Sequence, residues 1–327
     1  MNAAQIARLC AVCSLGEPTG ELRSVPGGLL HRLWRLDTTR GSFAIKQLNP
    51  AIMRRPHMHE AYRLSEQIAA ALAAHGVPAI AALACNGDPV QEIDDITLLA
   101  YPWIAGEVLT SPSVEPERSK QIGAVLGHMH ALDLQFPALP LVEWGSFHDD
   151  DWDLLTVQAY DQGITWARHV RVAMPQLIEC SRLYEQAGAR LSQEMVLSHR
   201  DIDQKNVIWR DEHTPLLVDW ESAGLVNPTM ELASVALDWS GLAIEAVRED
   251  TFSALVEGYV AAGGVVRAAG IDALHGVMGI WLGWLLFNMQ RSLGEASSGE
   301  DERQVGIRET GLALLKLRQL AHHAEQW

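Results

Sequence analysis

Over residues 21–101 apolar and polar positions alternate in short runs broken by glycine turns, which predicts strand, Gly-rich turn, strand, turn, strand, helix, strand, strand. From Gly106 onward the apolar positions recur at helical spacing over residues 120–134, 153–187, 227–262, 271–293 and 302–324, with two short strands around Val207 and Leu217 as the exception. Pro102, Gly106, Ser111, Pro112, Ser113 and Pro116 punctuate the join. The pattern predicts an α+β chain of two differently built lobes, a small sheet-bearing one over residues 1–104 and a larger, mainly helical one over residues 105–327. A length of 327 residues fits about two such units.

Composition narrows the class. The chain carries 25 Lys+Arg against 41 Asp+Glu, a formal charge of −16, which repels nucleic acid and anionic membranes and favours cationic ligands. The excess is uneven: residues 121–167 contain no lysine or arginine, while Asp133, Glu143, Asp149, Asp150, Asp151, Asp153 and Asp161 fall there. Such a run is either a solvated face or a wall for a cation, and Trp144, Trp152 and Trp239 stand near acidic residues, as an aromatic partner for a cation would. The first twenty residues lack the pattern of a secretory signal, and the longest apolar run, 277–287, is too short to span a bilayer, so a cytoplasmic protein is expected. Cys10 and Cys13 have no second pair to complete a zinc site and read as ordinary helix cysteines. The His57/His59 and His128/His130 pairs read as structural or surface histidines.

The chemistry concentrates in two places. In Ser-His-Arg-Asp-Ile-Asp-Gln-Lys-Asn, residues 198–206, Asp201 and Asn206 have the spacing of the HRDxxxxN loop of phosphoryl-transfer enzymes. The strand 207–209, a turn and the returning strand 215–218 then end on Asp219, so the hairpin brings Asn206 and Asp219 together as hard oxygen ligands for magnesium, leaving Asp201 to accept a hydroxyl proton. Upstream, Phe43-Ala44-Ile45-Lys46 repeats the V-A-I-K pattern that presents a lysine to nucleotide phosphates. Glu66, or Glu60 almost two turns earlier on the same predicted helix, is its expected partner. Gly27 and Gly28 form a candidate phosphate loop.

Together these residues resemble the aminoglycoside phosphotransferase family, small-molecule kinases related in fold to choline kinases and protein kinases. The resemblance implies a two-lobed protein-kinase-like fold that uses ATP and Mg²⁺. It makes Asp201 the catalytic aspartate, Asn206 and Asp219 the metal ligands, Lys46 the phosphate lysine and Glu66 its partner. Tyr101, Trp103 and Ile104 become the adenine-binding hinge, and Lys205 reaches the γ-phosphate or pairs with Asp203. The acceptor is expected to be a small cationic molecule such as an aminoglycoside or basic peptide antibiotic, with Asp149, Asp150, Asp151, Asp153 and Trp239 as candidate contacts. The alternatives are a metabolic kinase for choline, homoserine or a sugar, and a nucleotide-binding pseudokinase. The family commonly has glycine where Arg200 stands, His-Pro-Gly-Asn in place of residues 203–206, and a Gly-Asp-Pro turn with a following Asp where this chain has Val226-Asn227-Pro228 and Glu231.

Overall fold

The computed structural model describes residues 1–26, 30–110, 114–132, 134–136, 139, 142, 144, 147–242, 247–267, 270–295 and 299–324. Among these the elements run, in order, α1 (Ala3–Val12), β1 (Arg23–Val25), β2 (Arg32–Thr38), β3 (Gly41–Gln47), α2 (Pro50–Met53), α3 (Met58–Ala74), β4 (Gln91–Ile93), β5 (Ile96–Pro102), β6 (Glu107–Val108), α4 (Pro116–Ala131), α5 (Asp149–Asp161) and α6 (Ala167–Leu191). They continue with β7 (Val196–Ser198), β8 (Val207–Trp209), β9 (Pro215–Leu217), β10 (Gly224–Val226), α7 (Pro228–Trp239), α8 (Glu249–Ala261), α9 (Ile271–Leu293) and α10 (Glu300–Ala324).

The chain divides into two compact units, Met1–Val108 with Asn206–Ala223, and Leu109–Lys205 with Gly224–Trp327. They differ from the expected 1–104 and 105–327 in that the β8–β9 segment belongs to the first unit. That unit holds a five-stranded antiparallel sheet in the order β1-β2-β3-β5-β4, and a three-stranded one in the order β6-β8-β9. Strand alternation gives the larger sheet two buried faces. Leu36, Ile45, Leu98 and Ala100 pack with Leu9 and Cys10 of α1, while Leu99 joins Leu48 and Tyr62 of α3. Lys46 lies opposite Leu99 in register and Ala44 opposite Tyr101, so Lys46 shares the α3 face with Leu99 and Tyr101. Gly106 lets β6 reach β8: a Cβ there would stand 2.4 Å from the Trp209 carbonyl oxygen.

The second unit is helical apart from the β7–β10 pair. Its core joins α5, α6, α7, α9 and α10 through Trp152, Leu177, Leu237, Leu282, Leu285 and Leu317. The predicted helix 153–187 is two helices, separated at Gly163 with φ +69°, and 227–262 is likewise two, separated after Gly241 with φ +91°. A left-handed glycine ends each first helix. Helix α9 outruns the apolar run 277–287 and is, by length and composition, long and apolar enough to cross a membrane; half of its apolar window is buried in the unit.

One cysteine expectation changes. Cys10 is a buried helix cysteine, but Cys13, the C-cap of α1, is disulfide-bonded to Cys85. The partners are 72 positions apart, a pairing that local spacing does not reveal.

Candidate active site

In the first unit, the β8–β9 hairpin does what its sequence predicts. Val207 pairs with Leu217, and Val218 N–H donates to the Asn206 carbonyl at 3.0 Å, which sets Asn206 and Asp219 at the same end. Asp219 takes a left-handed conformation, φ 66° and ψ 61°, sparsely populated for a residue with a Cβ and held here by the hairpin on one side and the 3₁₀ turn Trp220–Ser222 on the other. The Lys46 ammonium reaches across to this turn, donating to Asp219 Oδ1 at 2.6 Å and to Glu221 Oε2 at 2.7 Å. Burial opposes the charge on Lys46, but the Asp219 and Glu221 carboxylates outweigh it and raise its pKa above the ordinary lysine range. Glu221 is half-buried, which opposes its charge, yet Lys46 and His31 hold its carboxyl far below the usual value.

Neither predicted glutamate bonds to Lys46. Glu60 is exposed on α3. Glu66 is buried on the correct helix face, but its Oε2 accepts from Ala82 N–H at 2.6 Å and its Oε1 from the Tyr101 hydroxyl at 2.6 Å. Burial raises its pKa despite those two donors. Helix periodicity identifies the face, and on that face a backbone N–H and a phenol donate to the Glu66 carboxylate, which also feels the Lys46 charge. At the expected hinge, strand β5 extends through Pro102, Tyr101 is laddered to β3 with its hydroxyl on Glu66, and Trp103 N–H donates to the Ser42 carbonyl at 3.0 Å. Ile104 lies in the irregular segment between β5 and β6. Gly27 and Gly28 lie outside the described residues.

In the second unit, the loop after β7 carries Asp201. Arg200 is left-handed, φ 68°, so the conformation suited to the family's glycine is adopted by an arginine. Its N–H donates to Glu231 Oε1 at 2.7 Å, and Glu231 Oε2 accepts from His130 Nε2 at 2.8 Å. His130 Nε2 also lies 3.2 Å from Ser198 Oγ, and its Nδ1 is 3.0 Å from the Tyr259 hydroxyl. Burial would raise the Glu231 pKa, and these donors, His130 foremost, leave it lowered instead. Glu231 is therefore the residue that braces the loop carrying Asp201, reached from the turn 226–228 whose Asn227 caps α7. Trp239 Nε1 donates to the Ile202 carbonyl at 2.8 Å, and Gln204 Nε2 to the Asp238 carbonyl at 2.9 Å. Lys205 Nζ is 3.1 Å from Asp203 Oδ2 and 3.8 Å from Asp201 Oδ1. Partial desolvation opposes its charge, and those carboxylates outweigh it and raise its pKa. The Asp201 side chain is 43% exposed.

The acceptor candidates fare differently. Trp239 is 1% exposed and is part of the core that supports the loop, so it is no pocket wall. Asp149, Asp150 and Asp151 form the first turn of α5, where they complement the helix dipole, and Asp153 pairs with Arg171 at 2.5 Å. These are the contacts of a solvated face. Sequence reasoning missed His31, Tyr62 and Glu221, which surround Lys46; the signal that could have found Glu221 is its place two residues after Asp219.

The donor set at the hairpin end fits magnesium. Among the described residues no group of three or more His, Cys, Asp or Glu side chains forms a closed metal cage. Magnesium shared with phosphates needs only one or two protein oxygens, and the Lys46 ammonium on Asp219 Oδ1 is already a cation in that position.

A family model described as phosphotransferase enzyme family (APH) matches residues 21–277. Spectinomycin phosphotransferase, solved in complex with ADP and spectinomycin, superposes with TM-score 0.75 at 15% identity, covering 100% of this chain and 99% of its own. Choline kinase from Streptococcus pneumoniae gives 0.62 at 16%, covering 98% and 100%. Ethanolamine kinase from Plasmodium vivax gives 0.61 at 14%, covering 90% and 81%. At such identities the likeness establishes a shared fold. A comparison with the curated proteins found no match.

Proposed function

We propose, for a chain that belongs to the APH phosphotransferase enzyme family and is a small-molecule kinase, that it transfers the γ-phosphoryl group of ATP to a hydroxyl of a small, cationic acceptor. The observation that carries this reading is the Lys46 ammonium seated on Asp219 at the end of the hairpin that also sets Asn206. Asp201 accepts the proton of the acceptor hydroxyl as its oxygen bonds to the γ-phosphorus, and the bond to the β,γ-bridging oxygen breaks to release ADP. Lys46 holds the phosphates, and Asn206 and Asp219 are the ligands for magnesium. Bound magnesium would neutralise charge developing on the β- and γ-phosphates. Lys205, four residues after Asp201 on the same loop, would supplement that charge.

The formal charge of −16 supports a cationic acceptor. The solved neighbours are named for spectinomycin, choline and ethanolamine, which supports an acceptor drawn from antibiotics or small metabolites. Substrate-stimulated ADP release, measured across spectinomycin, other aminoglycosides, basic peptide antibiotics, choline, ethanolamine and homoserine with and without Mg²⁺, tests the proposal. A magnesium-dependent rise with one acceptor class is expected. Nucleotide binding with no stimulated turnover across the panel would favour the pseudokinase reading instead.

A further inference from the structure

His31 takes no part in the chemistry proposed above, yet it is buried against Glu221, the second carboxylate partner of Lys46. Its Nδ1 accepts the Asn49 backbone N–H at 2.9 Å. A ring nitrogen that accepts carries no proton, so the imidazole proton resides on Nε2. Asn49 is itself fixed, since its side chain caps α2 by accepting from Ala51 N–H at 2.9 Å. Nε2 lies 2.9 Å from Glu221 Oε2 and 2.7 Å from the Tyr62 hydroxyl, which is 3.4 Å from the same carboxylate oxygen. The backbone thus sets the tautomer, and the tautomer aims a donor at Glu221.

Lys46 has two carboxylate partners, and one of them, Asp219, is the residue assigned to magnesium. Glu221 is the partner that remains to the lysine when Asp219 holds a metal. We infer that His31 is a positioning residue: it fixes Glu221, and Glu221 keeps the Lys46 ammonium aimed during transfer, in the role expected of Glu66. This rests on the phosphotransferase reading of Lys46.

Two substitutions separate the role from mere packing. His31→Asn keeps an acceptor for the Asn49 N–H but is too short to reach Glu221, whereas His31→Gln extends an amide donor toward the Nε2 position. His31→Asn should lower kcat about tenfold to hundredfold, the size of effect expected on removing a hydrogen bond to a charged group, with the KM for ATP changed less than about threefold. His31→Gln should restore most of the rate. Glu221→Gln should show a comparable loss, and the double variant His31→Asn/Glu221→Gln should be no slower than Glu221→Gln alone. Without nucleotide, Lys46 in His31→Asn should be acylated faster by an amine-directed reagent, read by peptide mass spectrometry. Losses that multiply in the double variant, or unchanged Lys46 labelling, would overturn the role of His31. Unchanged turnover in Lys46→Ala would overturn the phosphotransferase reading itself.

Discussion

At the scale of single residues, Glu231 is the carboxylate that ties the loop carrying Asp201 to α7 and α4, through the Arg200 N–H and His130. Its pKa is lowered in the folded state, so its contribution is complete above the ordinary glutamate value of about 4.3 and is lost as pH falls through the folded value. Glu231→Gln keeps an acceptor for Arg200 N–H but has no charge. It should be less stable than the parent at pH 7 by about 1.5–3 kcal/mol, with the gap narrowing below about pH 4. Thermal melts from pH 7 to pH 3 check this, and a gap that stays constant would mean that protonation of Glu231 does not set it. How much of such contacts the sequence showed depended on how local each one is. Asp201, Asn206, Asp219 and Lys46 were legible because each is fixed by neighbours a few positions away, in a loop, a hairpin or one strand. The contact of Lys46 with Glu221, 175 positions distant, was not. Glu231 belongs between these cases: its place after the turn was readable, and its bonds to Arg200 and His130 needed the fold.

At the scale of elements, helical periodicity found the second unit's segments and misjudged where they end. The breaks at Gly163 and Gly241 lie inside apolar patterns that continue across them, so the pattern alone predicted two long helices where there are four. Contacts between helices were likewise invisible. A Cβ at Gly123 would stand 1.9 Å from the Leu255 carbonyl oxygen, and one at Gly258 1.9 Å from that of Lys120, so α4 and α8 touch backbone to backbone. That contact seats α4, and α4 carries His130 to Glu231. Gly258→Ala should therefore destabilise the protein by about 1–3 kcal/mol, as overpacking does, which denaturant unfolding would measure. A neutral effect would contradict the close approach of the two helices.

For the whole molecule, the α+β class and the division between a sheet-rich and a helical part followed from periodicity, whereas the disulfide did not. The Cys13–Cys85 bond ties the end of α1 to the segment before β4 and closes a long loop in the unfolded chain. Replacing both cysteines with serine should lower stability by about 2–4 kcal/mol, seen as a reduced denaturant midpoint, and an unchanged midpoint would argue that the bond constrains nothing. The acidic run at Asp149–Asp153 has local partners, the start of α5 for Asp149–Asp151 and Arg171 of α6 for Asp153. The central claim is that this chain moves a phosphoryl group with Asp201 as the base, and the most direct test is Asp201→Asn assayed with the acceptor that the ADP-release panel identifies. The predicted result is turnover lowered about 10²–10⁴-fold, with nucleotide affinity by calorimetry unchanged. Turnover near that of the parent, in a preparation free of parent enzyme, would contradict it.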